Sequence, residues 1–246
     1  MHKKRIAIVT GAAEGIGQAS VKELQSIGCH VVQLDIKFDS FTINDDPNKT
    51  LYKVDVTKED QVKQTFKEVF DQFGRIDILI NAVGGSLHSK KIEEIEECDW
   101  NSNFDLNLKS AFYCTKFAVP YMKQTKWGRI VNISAVAGRT STFFGGADFA
   151  SAKAALIGFT RQCGFELASF GITVNAIAPG LTLTDRVRKM WDDYSEEDRN
   201  FIMERVPIGR PSTVNEQAKA ISFLCSDDAS YVCGAVLDIN GAMFVG

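Results

Sequence analysis

An excess of basic charge, closely spaced cysteine pairs and long apolar runs are all missing from this sequence, and each absence removes a class of function. Of the 246 residues, 28 are Lys or Arg and 31 are Asp or Glu, a formal net charge of −3. That balance leaves no broad cationic surface for nucleic acid or for an anionic membrane. The short basic clusters, Lys3-Lys4-Arg5 and Arg186 to Lys189, read as solvated faces. None of the six cysteines (Cys29, Cys98, Cys114, Cys163, Cys225, Cys233) falls in a Cys-x-x-Cys pair, so they read as buried free thiols. The three histidines, His2, His30 and His88, are too scattered for a metal site or a Ser-His-Asp triad, and a structural or surface role is expected for each. No apolar run approaches the roughly 18 residues that a membrane helix needs. Met1-His2-Lys3-Lys4-Arg5 leads straight into Ile6-Ala7-Ile8-Val9 without an apolar leader, so a reduced, cytoplasmic protein is expected. Internal repeats and Pro/Gly-rich linkers are absent too, which points to one domain over residues 1–246.

What is present is a strict alternation. Short apolar runs at Arg5–Val9, His30–Leu34, Leu51–Val54, Ile76–Ile80, Arg129–Ile133, Thr173–Ile177 and Val236–Ile239 read as strands. They are continuous rather than alternating, as expected for parallel strands covered on both faces. Amphipathic stretches lie between them. Ile16, Ala19, Leu24 and Ile27 share one face before Gly28; Val62, Phe66, Val69, Phe70 and Phe73 share another before Gly74. The fold class is therefore α/β: a Rossmann-type doubly wound parallel sheet of about seven strands with helices on both faces. Two segments break the rhythm. Asp39–Lys49 reads as a polar loop, and Leu181–Arg205, charged and dotted with Met190, Trp191, Tyr194, Phe201 and Met203, reads as a lid.

Thr10-Gly11-Ala12-Ala13-Glu14-Gly15-Ile16-Gly17 follows the first strand and opens the first helix. Glycines there permit a tight turn, a close approach of backbone to a pyrophosphate, and close helix–strand packing. The helix start adds unpaired N–H groups and a positive dipole end. Asp35 ends the second strand at the interval expected for a carboxylate that accepts hydrogen bonds from ribose hydroxyls and repels a 2′-phosphate. Glu14 adds negative charge nearby, and Lys37 is the one opposing cation. The cofactor expected is NAD.

Further along, Asn81-Ala82-Val83-Gly84 ends the fourth strand, Asn132-Ile133-Ser134 the fifth, and Pro179-Gly180 follows the sixth. With the Gly-x-x-x-Gly-x-Gly turn, Asp55-Val56, Asn107 and the C-terminal Val236-to-Gly241 run, the whole chain resembles the short-chain dehydrogenase/reductases. That resemblance implies hydride transfer between NAD(H) and a secondary alcohol or ketone, in a homotetramer held by the Asp99–Met122 helix and the apolar Tyr231-to-Val245 tail. It implies a cofactor contacted by Gly11, Glu14, Gly15, Ile16, Gly17, Asp35, Asp55, Val56, Asn81, Gly84, Lys153, Pro179, Gly180, Thr182 and Thr184. It also implies a reaction centre of Ser134, Lys153 and Asn107, with a tyrosine four residues before the lysine so that both share one helix face.

That tyrosine is absent: the position holds Phe149. In the family the phenol gives the proton to the developing alkoxide while the lysine lowers its pKa, the serine bonds the substrate oxygen and the asparagine holds a water. A phenyl ring can neither give nor take a proton. Three explanations are open: an engineered replacement in an otherwise normal enzyme, a natural loss of catalysis with NAD binding kept, or another proton donor. Substrate-lining residues are expected from Gly85–Ser89, Ala135–Gly146 and Leu181–Arg205, with Phe143, Phe144 and Trp191 hinting at a carbocyclic or aromatic substrate.

Overall fold

A computed structural model describes residues 4–39, 42–43 and 49–246. Seven strands run parallel: β1 (Ile6–Thr10), β2 (His30–Asp35), β4 (Lys49–Lys53), β5 (Ile78–Asn81), β6 (Gly128–Ile133), β7 (Ile172–Pro179) and β8 (Val236–Ile239). A two-residue strand, β3 (Thr42–Ile43), adds an antiparallel edge beside β4. It falls inside the segment expected to be a polar loop, so the sheet has eight strands. Residues 40–41 and 44–48 of that segment lie outside the described residues, and Lys49 already belongs to β4. The sheet order is β3-β4-β2-β1-β5-β6-β7-β8. Crossovers therefore run outward in both directions from the β1/β5 boundary, and a doubly wound sheet binds its ligand outside the strand ends at that reversal.

The central strands are apolar throughout because both faces are covered. Ile8, Val32, Leu79 and Ile130 point into one core cluster, while their sequence neighbours Val9, Val31, Ile80 and Val131 point into the other. The first cluster is closed by Phe66 and Val69 of α2 (Glu59–Phe73) and by Cys114, Ala118 and Met122 of α4 (Ser110–Thr125). The second is closed by Val21 and Leu24 of α1 (Gly15–Ser26) and by Ile221 and Leu224 of α8 (Val214–Cys225). Ile27 was expected on the buried face of the first helix. It lies just past the helix end and is half exposed, because Gly28 turns the chain away there at φ +90°.

The stretch 97–125 is one long helical run in three parts: α3 (Glu97–Phe104), a π-helical segment over Asp105–Lys109, and α4. α5 (Ala147–Leu167) carries Phe149 and Lys153. The lid segment forms α6 (Asp185–Asp193), capped by the Thr184 hydroxyl, and α7 (Glu196–Met203), capped by Ser195. Among the described residues no helix is long and apolar enough to cross a membrane. All six cysteines are free; Cys98 and Cys233 are exposed rather than buried, since each sits outside the sheet-facing helix stripes.

Candidate active site

The glycine turn is shaped for close approach. Gly11 and Gly15 adopt φ +62° and +59°, which an L side chain rarely takes. A Cβ on Gly17 would fall 2.1 Å from the Gly11 carbonyl oxygen, so helix α1 touches the turn with no room for a side chain. At the tip of β2, Asp35 Oδ2 accepts from Ala13 N at 3.0 Å and Oδ1 accepts from Lys37 N at 2.9 Å. The carboxylate thus ties turn and strand end together. Lys37 Nζ in turn donates to Glu14 at 2.5 Å. That ion pair is exposed, and its energetic worth is small.

From this turn a cleft of about 660 Å³ runs along the C-terminal ends of the strands to α5. Gly11, Glu14, Gly15, Ile16, Gly17, Asp35, Gly84, Ser134, Phe149, Lys153, Pro179, Gly180, Thr182 and Thr184 all line it. Residues spread over some 170 positions of sequence therefore meet at the topological reversal of the sheet.

At the far end, Lys153 is almost wholly buried and its Nζ donates to the Ile133 carbonyl at 2.7 Å. Burial pulls its pKa down to about 7, and the Arg186 guanidinium adds to the effect. Ser134 Oγ donates to the Lys153 carbonyl at 2.9 Å. Phe149, one turn earlier on α5, is 7% exposed and its ring lies against Gly145, where a Cβ would fall 2.6 Å from the ring. No hydroxyl stands at that ring position.

Four expected residues stand behind the cleft rather than in its wall. Asn107 sits in the π-helical segment, where its Oδ1 accepts from Gly85 N at 2.7 Å and its Nδ2 donates to the Gly85 and Asn103 carbonyls. It holds the Gly84-Gly85 strand end in place, and π-segments of this sort recur at functional sites. Asn81 donates to Asn132 Oδ1 at 2.8 Å and to Thr115, while its own Oδ1 is buried without a partner among the described residues. That orphan accompanies Ala82, where the resembled family carries a second asparagine. Val56 is drawn into the first core cluster, and Asp55 holds the turn into α2 by accepting from Thr57 N and Oγ1.

A model of the family described as enoyl-(acyl carrier protein) reductase matches residues 11–243. A 3-oxoacyl-[acyl-carrier-protein] reductase FabG of Thermotoga maritima is 36% identical over 98% of both chains. The BbsD subunit of a (2S)-[(R)-hydroxy(phenyl)methyl]succinyl-CoA dehydrogenase of Thauera aromatica is 35% identical over 99% of both. The chain belongs to the short-chain dehydrogenase/reductase family. Among solved structures of this family, ElxO with NADP bound superposes with a TM-score of 0.90 at 31% identity over 98% of both chains. A tyrosine-to-phenylalanine variant of ElxO with NADPH bound matches equally well. The aldohexose dehydrogenase of Thermoplasma acidophilum gives a TM-score of 0.86 at 30% identity, over 98% of this chain and 94% of the other. Short-chain dehydrogenase/reductases are oxidoreductases that use a nicotinamide cofactor on a small-molecule substrate, and the cleft fits such a cofactor. Its glycine cradle excludes any Cβ at Gly17, and its 660 Å³ is ample for an extended ligand.

The short-chain dehydrogenase/reductase cleft also takes in His88 and Arg186, which lie in two of the segments expected to line it, Gly85–Ser89 and Leu181–Arg205. His88 was expected to be structural or superficial, yet it lines the cleft. Its Nε2 lies 3.2 Å from Asp148 Oδ2 and 3.7 Å from Asp99 Oδ1. Asp148 is fully buried, immediately precedes Phe149 and is also bonded by Asn103. Arg186, assigned to a solvated basic cluster, also lines the cleft. Of the aromatics, Phe144 and Trp191 line it as expected. Phe143 does not: it packs edge-on against Phe201 at 5.5 Å with Arg205 over both rings. The signal for both was their place in those two segments; the meeting of His88 with Asp148 had none.

Proposed function

We propose that this chain is an NAD(H)-dependent oxidoreductase interconverting a secondary alcohol and a ketone, impaired as it stands because Phe149 occupies the place of the proton-transferring tyrosine. The observation that carries this reading is the meeting of Ser134, Phe149 and Lys153 in one cleft with the glycine turn. A nicotinamide nucleotide in that cleft supplies or accepts the hydride. The chain's own residues do the rest. Gly11, Glu14, Gly15, Ile16 and Gly17 seat the phosphates and adenosine side, Asp35 takes the ribose hydroxyls, and Pro179, Gly180, Thr182 and Thr184 flank the nicotinamide. Asp55 and Val56 steady the adenosine end, while Asn81 and Gly84 support the strand tips beside it. Lys153 bonds the second ribose, Ser134 rotates from the Lys153 carbonyl to bond the substrate oxygen, and Asn107 keeps a water in line with Lys153.

Preference for NAD is supported by charge. Lys37 is the cation placed to neutralise a 2′-phosphate, and it is committed to Glu14. Asp35 then leaves a carboxylate where that phosphate would sit. ElxO, a solved relative, has NADP bound.

The proton is the missing part. Losing a general acid costs about 10²–10⁴-fold in rate. Phe149→Tyr restores one phenolic oxygen and is expected to raise turnover of NADH with a ketone panel by that factor. In ElxO, a relative, a tyrosine-to-phenylalanine variant has NADPH bound. A second reading rests on the same Phe149: a non-catalytic NAD-binding protein. Tight NADH binding with no turnover in Phe149→Tyr would select it.

The remaining assignments follow from the family. We place residues 1–246 in one cofactor-binding domain, in the cytoplasm, with no nucleic-acid partner and assembled as a homotetramer. The exposed apolar side chains Phe112, Phe165, Tyr231, Leu237 and Val245 support the last point. A stable monomer in sedimentation experiments would rule the tetramer out.

A further inference from the structure

Arg186 is placed unlike an ordinary surface arginine. It is the second residue of α6, and its guanidinium occupies the space beside Gly85: a Cβ there would fall 2.1 and 2.4 Å from its two terminal nitrogens. One residue back, a Cβ on Gly84 would fall 2.8 Å from Lys153 Nζ. Two adjacent glycines thus separate the chain into a floor reached by one cation and a roof reached by another. Two residues before Arg186, the Thr184 methyl comes within 3.3 Å of a Cβ built on Gly15, so the start of α6 spans the cleft from the glycine turn to the β5 end.

None of the nearby carboxylates neutralises this pair of cations. Glu14 is bound to Lys37, Asp35 to the Ala13 and Lys37 N–H groups, Asp148 to Asn103 beside His88, and Asp99 to Lys90. Asp185, next in sequence to Arg186 and also at the cleft, is not among its ion-pair partners within the described residues. The repulsion is felt: Arg186 contributes to the lowered pKa of Lys153. A planar guanidinium with free donors, aimed into a cleft beside a second uncompensated cation, matches the two-oxygen geometry of a carboxylate or phosphate.

We propose that Arg186 is an oxyanion-binding residue, and that pairing with an anion brought into the cleft latches α6 over it. Two anions can arrive there: the diphosphate of the dinucleotide, which must pass between the glycine turn and Lys153, and a carboxylate on the substrate. The cofactor source rests on the function proposed above; the chemistry at Arg186 does not.

Calorimetry on Arg186→Ala, Arg186→Lys and, as a control on the same helix, Arg188→Ala separates the cases. ADP-ribose and NADH carry the diphosphate, adenosine lacks it, and inorganic pyrophosphate carries it alone. For the cofactor source, Arg186→Ala raises the Kd of ADP-ribose and NADH about tenfold, equal to ~1.4 kcal/mol. Adenosine is then unaffected, Arg186→Lys recovers part of the loss and Arg188→Ala changes nothing. For the substrate source, those Kd values stay put. In the Phe149→Tyr background Arg186→Ala then raises KM for acetoacetate but not for its methyl ester. The proposal is overturned if ADP-ribose, NADH, pyrophosphate and acetoacetate are all indifferent to Arg186→Ala. If the unmodified protein binds neither NADH nor adenosine, the cofactor reading fails, and pyrophosphate binding alone decides Arg186. The guanidinium makes no hydrogen bond within the described protein, so folding and Tm are expected to survive its removal.

Discussion

The two ends of the cleft are built on opposite principles. At the glycine turn nearly every polar group is spoken for: Asp35 accepts two backbone N–H groups, Glu14 holds Lys37, and Gly17 packs against Gly11 without a gap. At the reaction end, polarity is held in reserve. Among the described residues Lys153 is buried without a counter-charge and the Asn81 Oδ1 has no partner, while Ser134 is parked on a main-chain carbonyl and Phe149 offers no polar group. The contrast separates a region that binds by being finished from one that works only when ligand completes it. Leaving a buried polar group unpaired costs about 1–3 kcal/mol, so such a reserve persists only where the rest of the fold supports it.

Phe149→Tyr breaks the contrast most directly. It should raise turnover by the ~10²–10⁴-fold that a general acid supplies, measured as NADH oxidation, while NADH affinity stays within about twofold. Next in size is Gly17→Ala. Its new Cβ meets the Gly11 carbonyl oxygen at 2.1 Å, so the turn must open. Overpacking of this sort costs about 1–3 kcal/mol, and NADH binding should weaken by roughly ten- to a hundredfold. An unchanged Kd would show that the turn is not the phosphate cradle.

Asp35→Ala tests the finished end more gently. It removes the carboxylate facing the ribose and frees the Ala13 and Lys37 N–H groups. The ratio of NADPH to NADH affinity should rise about tenfold in parallel titrations. No movement in that ratio would detach Asp35 from cofactor choice.

The smallest effect concerns Lys153, whose folded-state pKa of about 7 lies below its ordinary 10.5. Below pH 7 folded and unfolded chains both carry the charge, and the cost of burying it is fully present. Between pH 7 and 10.5 the unfolded chain binds the extra proton, so that cost is relieved as pH rises. Lys153→Met lacks the term. Its Tm should exceed that of the unmodified protein most near pH 6, with the gap narrowing toward pH 9. A gap independent of pH would mean that Lys153 titrates normally.

Much of this was legible in the residues. Short continuous apolar runs rich in β-branched residues, such as Ile6-Ala7-Ile8-Val9, read as strands with both faces covered, and the structure sends alternate members of those runs into two cores. The glycine turn was legible because its parts are contiguous and its geometry is local. Strand ends moved by one or two residues, as with Ile76–Ile80 against β5 at Ile78–Asn81. The edge strand Thr42–Ile43 was missed because two residues carry no period and their pairing with β4 is a tertiary event. Phe143 was misplaced for a similar reason. Its neighbour Phe144 lines the cleft, but Phe143 turns to Phe201 and Arg205 in the lid, a contact no spacing rule encodes.

By itself the sequence determined the layered α/β fold, the turn that seats a dinucleotide, and the absent hydroxyl at Phe149. These depend on covalent neighbours, on the two-residue and 3.6-residue periods, and on the chemistry of single side chains. Only the tertiary structure decided that Arg186 lies over Gly85, that His88 meets buried Asp148 beside Phe149, and that Asn107 braces the cleft from behind. Those relations join residues up to about a hundred positions apart. They are set by how helices pack across the sheet's reversal point, where chain distance no longer predicts distance in space.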